Sequence, residues 1–182
     1  MLLLGILALI GATVFYWWNN QSDIKALNEN LPEGIKIEKG LFGFGKDYKI
    51  VNEIDGYEFK APKDWNNHNL DILYQNLDKE IFGFSGSTMN LKDEKTENNS
   101  LVINCFFIEN PTENLRTRVE KIIYNSLGIE ENLISIENTE IEMFKINILG
   151  NYIYFFEQQN KLYGILSSSE KFIEEIITNG NW

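Results

Sequence analysis

Three residue types that usually carry chemistry are scarce in this 182-residue sequence: it has one cysteine, one histidine and two arginines. The single cysteine, Cys105, excludes an intrachain disulfide and any cysteine-rich zinc site. It stands inside the apolar run Leu101-Val102-Ile103-Asn104-Cys105-Phe106-Phe107-Ile108, a setting that predicts a buried structural thiol and not a nucleophile. The single histidine, His68, lies in the polar stretch Asn66-Asn67-His68-Asn69, where solvent exposure is expected. A Ser-His-Asp triad would have to use it. The two arginines, Arg116 and Arg118, are isolated from other arginines on a predicted helix. Lys and Arg total 16 against 27 Asp and Glu, a net charge of −11, and residues 1–22 carry no charged side chain, so the excess falls on the rest. Such a surface repels nucleic acid and anionic lipid headgroups, which require clustered cations, so no nucleic-acid partner is expected.

What the sequence does have is an apolar start. Leu2, Leu3, Leu4, Ile6, Leu7, Leu9, Ile10, Val14, Phe15, Tyr16, Trp17 and Trp18 dominate a run of apolar or small residues closed by Asn19-Asn20-Gln21-Ser22. At roughly 1.5 Å per residue, a helix of about 17 residues measures about 25 Å, near the short end of a membrane span. Aromatic rings at the apolar–polar boundary suit a bilayer interface, because the ring is apolar while its N–H or O–H needs water. A cleavable signal peptide would need a basic start and a small-residue cleavage site; here no Lys or Arg precedes the run and bulky aromatics close it. The expectation is an uncleaved anchor over residues 1–20 in the plasma membrane. Only Lys25 stands near its end, so the positive-inside rule has little to act on; the secretory look of the start places the domain outside the cytoplasm.

Residues 21–33 continue with Ile24, Leu27 and Leu31 at helical spacing until Pro32 and Gly34, which predicts a helical stalk. From residue 34 to 182 the pattern is that of one soluble domain. Ile35 and Ile37, Tyr48 and Ile50, and Tyr57 and Phe59 alternate with polar residues as in strands with one wet face. Asp55-Gly56 marks a hairpin, and Pro62 ends the third strand. Residues 70–77 read as a short helix or an irregular segment, and Ile81 to Gly86 as the start of a strand. Residues 92–100 form a charged hairpin loop, followed by a central strand from Leu101 to Ile108. A helix is predicted from Asn110-Pro111, with Leu115, Val119, Ile122, Ile123 and Leu127 on one face and Gly128 ending it. Strands follow at 133–136, 141–149, 152–158 and 162–166, the last two joined tightly through residues 159–161. Ser167, with Glu170 three residues on, predicts the cap of a final helix carrying Phe172, Ile173, Ile176 and Ile177. Short connections between strands require antiparallel neighbours, so the fold class is α+β: a mainly antiparallel sheet flanked by helices, preceded by one N-terminal transmembrane helix.

Three features imitate chemistry. Gly40-Leu41-Phe42-Gly43-Phe44-Gly45-Lys46 has P-loop spacing, but Asp47 replaces the Ser or Thr that would hold magnesium, and strand patterns flank it where a buried strand and a helix are needed. A fragment of it recurs at residues 81–86; a remnant of an internal repeat is the alternative to coincidence, which is favoured because short aromatic–glycine runs recur by chance and suit twisted strands. The carboxylates Asp93, Glu94, Glu97, Glu130, Glu131, Glu137, Glu140 and Glu142 lack EF-hand spacing and read as a solvated face, with weak calcium binding left open. No catalytic, cofactor-binding or metal residue is assigned.

The segment Tyr57-Glu58-Phe59-Lys60-Ala61-Pro62-Lys63-Asp64-Trp65 resembles the opening strand of the PsbP-like fold, an alternating strand running into Pro-x-x-Trp. A strand from Tyr152 to Phe156, another with Tyr163 and Gly164, and a last helix with Phe172 look like that family's closing elements, so the resemblance spans about residues 48–178. It implies an antiparallel sheet with helices and a binding or assembly role, with no catalytic residue carried over. Photosystem function is not implied. The reading is thus a membrane-anchored, non-catalytic interaction domain with an envelope protein partner. The alternatives are a pilin-like subunit, against which the apolar run here lacks the early glutamate and the basic leader with a cleavage site, and a carboxylate-based envelope enzyme built around His68 or Cys105.

Overall fold

The computed structural model describes residues 24–39, 48–61, 70–93, 100–127, 137–138, 143–148 and 150–182. The predicted anchor from Leu2 to Trp18, the P-loop-like segment, Pro62, His68, Gly128 and the predicted strand at 133–136 lie outside the described residues. So do Glu94, Glu97, Glu130, Glu131, Glu140 and Glu142.

Two antiparallel sheets make the fold, which is α+β with helices against both faces of the larger sheet. A helix α1 (residues 24–29) precedes a three-stranded meander of β1 (Ile35–Lys39), β2 (Tyr48–Asn52) and β3 (Tyr57–Lys60). Then come β4 (Leu70–Asn76), a short α2 (Lys79–Phe82), β5 (Gly86–Asp93), β6 (Ser100–Phe107) and α3 (Leu115–Leu127). The chain closes with β7 (Glu137–Asn138), β8 (Phe144–Ile148), β9 (Asn151–Gln158), β10 (Lys161–Ser167) and α4 (Glu170–Asn179). The large sheet has the order β4-β5-β6-β10-β9-β8-β7, so two meanders meet where β6 pairs with β10.

Period-two patterning gives the large sheet two apolar faces. One presents Ile72, Met89, Leu91, Leu101, Ile103, Cys105, Tyr163, Ile165, Tyr154 and Phe156 to the three-stranded sheet and α4. Tyr57, Phe59, Phe156, Tyr163 and Trp182 form an aromatic cluster there, with ring centroids between 5.2 and 6.3 Å apart. The other face presents Phe106, Phe144, Ile146, Ile153, Phe155 and Leu162 to Val119, Ile122 and Ile123 of α3. Gly164 lies across from Phe155, and a Cβ there would stand 2.8 Å from the ring, so glycine lets the aromatic lie over the backbone. The β2–β3 turn ends on Gly56 at φ +73, a conformation that disfavours a side chain.

Several elements differ from the sequence reading. Residues 70–76 form a regular strand: Leu70 and Ile72 are buried, Asp71 is exposed, and an exposed Leu73 masks the alternation. Residues 79–82 form one helical turn, capped by Asp78 accepting from the Glu80 amide at 2.9 Å, and the strand starts only at Gly86. Asn110 closes an Asx turn with Thr112, whereas α3 starts at Leu115 with Asn114 accepting from the Thr117 amide at 2.9 Å. The final helix is capped at Ser169; the Ser167 hydroxyl instead donates to the Ser100 carbonyl at 3.0 Å. The helix within the predicted stalk packs on the domain: Ile24, Leu27 and Leu31 contact the core, and the Asn28 side chain bonds the Ile37 carbonyl and amide at 3.0 and 2.8 Å.

Candidate functional site

Among the described residues, two gatherings of chemical groups stand out beside the surface cluster of Tyr154, Lys145, Glu170 and Glu174. The first is internal, where the β2–β3 turn presses on the large sheet. Asn52-Glu53-Ile54-Asp55 folds back on itself, the Asn52 side-chain oxygen accepting from the Ile54 and Asp55 amides at 3.0 Å each. That turn points the Asp55 carboxylate inward, where it accepts from Asn52 Nδ2 at 2.8 Å, Ser87 Oγ at 2.7 Å and Tyr74 Oη at 3.5 Å. The Lys161 ammonium donates to the Asp55 carbonyl. Asp55 is 1% exposed, so its carboxylate meets protein donors and little water. These bonds tie the small sheet to β4, β5 and β10 and satisfy a group whose unpaired burial would cost several kcal/mol.

Beside this cluster lie Tyr57, Cys105 and Tyr163, all buried. Burial, with the nearby Asp55 charge, pushes the Cys105 thiol up to about 12, and burial likewise raises Tyr57 and Tyr163 well above the ordinary phenol range. A thiol held protonated in this way makes a poor nucleophile. The Tyr163 hydroxyl and the Trp182 indole N–H are the buried polar atoms without a hydrogen-bond partner among the described residues.

The second place is a cleft of about 200 Å³ on the opposite face, between α3 and the end of β6. Phe84, Phe106 and Leu162 line it, and Glu109, Arg118 and Lys121 are among its polar residues. Arg118 is 4% exposed and donates to Glu157 and, at 2.8 Å, to the Asn110 carbonyl. Lys121 pairs with Glu113, and Lys79 with Glu109, whose carboxyl is held below the usual range by that lysine. The cleft therefore offers apolar surface ringed by charges that neutralise one another.

The structure places Cys105 in the core, as expected from its apolar run. The two arginines are not alike: Arg116 is exposed and pairs with Glu120, while Arg118 is buried. The spacing of Leu115, Arg118, Val119 and Ile122 already sets Arg118 on the apolar stripe of α3. Asp55 reads as a turn residue only: the sequence offers Asn52 as the residue that can close an Asx turn onto the Ile54 amide, and no spacing marks Asp55 itself. Among the described residues no group of three or more His, Cys, Asp and Glu could hold a metal ion, and no helix is long and apolar enough to cross a membrane. The predicted anchor residues lie outside that set.

Fold and sites together define a two-sheet α+β domain with a polar cluster locked between its sheets. The chain matches no protein-family model, no curated protein and no solved structure.

Proposed function

We propose that this is a single-pass plasma-membrane protein whose residues 1–20 hold an acidic, non-catalytic interaction or assembly domain at the cell envelope, on the extracytoplasmic side. The observation that carries the reading is the run from Leu2 to Trp18, uncharged and closed by Tyr16-Trp17-Trp18. Support for a non-catalytic role comes from the groups best suited to chemistry, which are engaged elsewhere: Asp55 accepts three hydrogen bonds and Cys105 is buried with a raised pKa. The PsbP-like resemblance belongs to the same proposal. It rests on the Tyr57–Trp65 motif and on the closing order of strand, strand and helix in β9, β10 and α4.

The test is alkaline carbonate extraction of membranes from cells making the full chain. The wild-type protein stays in the pellet with its N-terminal residues intact, and the double variant Leu7→Arg, Ile10→Arg moves to the supernatant. Each arginine costs roughly 2.5–3.5 kcal/mol at the centre of a span. Wild-type protein in the supernatant, or a shortened N-terminus on the membrane form, overturns the reading; cleavage by a prepilin-type peptidase would favour the pilin-like alternative. Protease added to spheroplasts reports the side, since an extracytoplasmic domain is digested without lysis.

A further inference from the structure

Strand edges are dangerous because their free N–H and C=O groups template pairing, and this chain covers most of its own. The outer edge of β1 is occupied by Asn28, whose amide bonds both the N–H and the C=O of Ile37, as a neighbouring strand would. The outer edge of β3 is met by Asn181, which exchanges two backbone bonds with Glu58 at 2.9 and 2.7 Å. β7 is two residues long. β4 is different. It runs seven residues, pairs with β5 without a bulge from Leu70↔Asp93 to Asn76↔Ser87, and carries no proline and no lysine. Nothing among the described residues pairs with its outer side.

We propose that this edge pairs antiparallel with β4 of a second copy of the chain, joining two seven-stranded sheets across a two-fold axis at Leu73. The hydrogen-bonding groups are placed for it. Leu77 donates to the Gly86 carbonyl, so the residues in phase with it, Gln75, Leu73 and Asp71, turn their backbone groups toward β5. Leu70, Ile72, Tyr74 and Asn76 turn theirs outward. With the axis at Leu73, Ile72 meets Tyr74 and Leu70 meets Asn76, so each outward group finds an outward group.

The side chains select the same register. Leu73 is 55% exposed on the face away from the three-stranded sheet, and on the axis it meets its own copy. Asp71, the charged residue of the strand, falls opposite the Gln75 amide, which can donate to it. Moving the axis to Ile72 would set Asp71 against Leu73. A foreign strand would have to bring this complement; β4 already contains it. The net charge of −11 on each copy opposes association, so the dimer strengthens as salt screens that repulsion. The inference names the partner of the interaction domain proposed above and rests on that reading for its setting. Confinement to a membrane would raise the effective concentration of a weak pair.

Cysteine cross-linking of the full chain in detergent micelles tests it. At a non-hydrogen-bonded antiparallel pair the Cα atoms stand about 4.5 Å apart, within disulfide reach. Leu73→Cys should give a symmetric disulfide dimer under mild oxidant, while the wild type, with Cys105 buried, gives none. Asp71→Cys mixed with Gln75→Cys should cross-link faster than either variant alone. Leu73→Lys should weaken the dimer at least about tenfold in sedimentation, by setting two cations on the axis, with no change in the denaturation midpoint measured at dilutions where both chains are monomeric. The inference is overturned if Leu73→Cys stays monomeric, if Asp71→Cys alone matches the mixture, if Leu73→Lys remains dimeric, or if residue 73 is captured by a different protein. Cross-linking and carbonate extraction are separate measurements. A pelleted chain that does not cross-link sinks the dimer and keeps the anchor, and a soluble chain that does cross-link gives the reverse.

Discussion

The two faces of the large sheet bury polar groups in different ways. Toward the three-stranded sheet, Asp55, Asn52 and Ser87 are enclosed together and complete one another's hydrogen bonds. Toward α3, the buried Arg118 reaches out to Glu157, whose side chain is 30% exposed, and to a backbone carbonyl at the rim of the cleft. The first arrangement depends on every member being present; the second keeps contact with water and can be re-solvated when a member is lost. One face is a joint between sheets and the other a surface with a floor.

Substitution should separate the two faces in graded steps. Asp55→Ala strands the donors of Asn52, Ser87 and Tyr74 inside the joint, and should lower stability by about 4 kcal/mol in urea denaturation. Trp182→Ala removes the ring that stacks on Tyr57 and Phe59, for an expected loss of about 3 kcal/mol. Arg118→Ala should cost less, about 2 kcal/mol, because water can take over Glu157. Equal losses for Asp55→Ala and Arg118→Ala would abolish the distinction between the faces.

Alkali should strain the joint selectively. The Cys105 thiol is raised from 9.0 to about 12 in the folded chain, so between those values the native state keeps a proton that the unfolded chain has released. Stability from this group is full below pH 9 and falls through the window by about 1.4 kcal/mol per pH unit. Denaturation midpoints of the wild type should thus drop more steeply above pH 9 than those of Cys105→Ala. The smallest effect belongs to the rim of the cleft: Lys79→Ala removes the exposed pair with Glu109 and should leave the urea midpoint unmoved.

Much of the strand content was legible because one wet face enforces alternation, as in β1, β2 and β3. β4 was hidden by Leu73, an apolar side chain on the exposed face, which is the residue now assigned to the dimer axis. α2 is a single turn, too short for helical periodicity to register. The start of α3 is ambiguous in the sequence because two asparagines compete as caps, and in the structure Asn110 spends its side chain on Thr112. Of the internal site, Cys105 was readable from its apolar run. Asp55 was not, because Asp-Gly is a sufficient reason for an aspartate in a turn. No local pattern brings β10 beside β6, since that pairing joins distant segments.

That pairing gives the chain a seam. Each meander is built from neighbours in sequence and can form quickly, whereas Leu101 must find Ser167 and Phe107 must find Lys161 across all of α3, β7, β8 and β9. Until they do, β6 and β10 each present a long, largely apolar rim to whatever else is near. The time this chain spends half-sewn is thus the interval in which those rims are open to other chains.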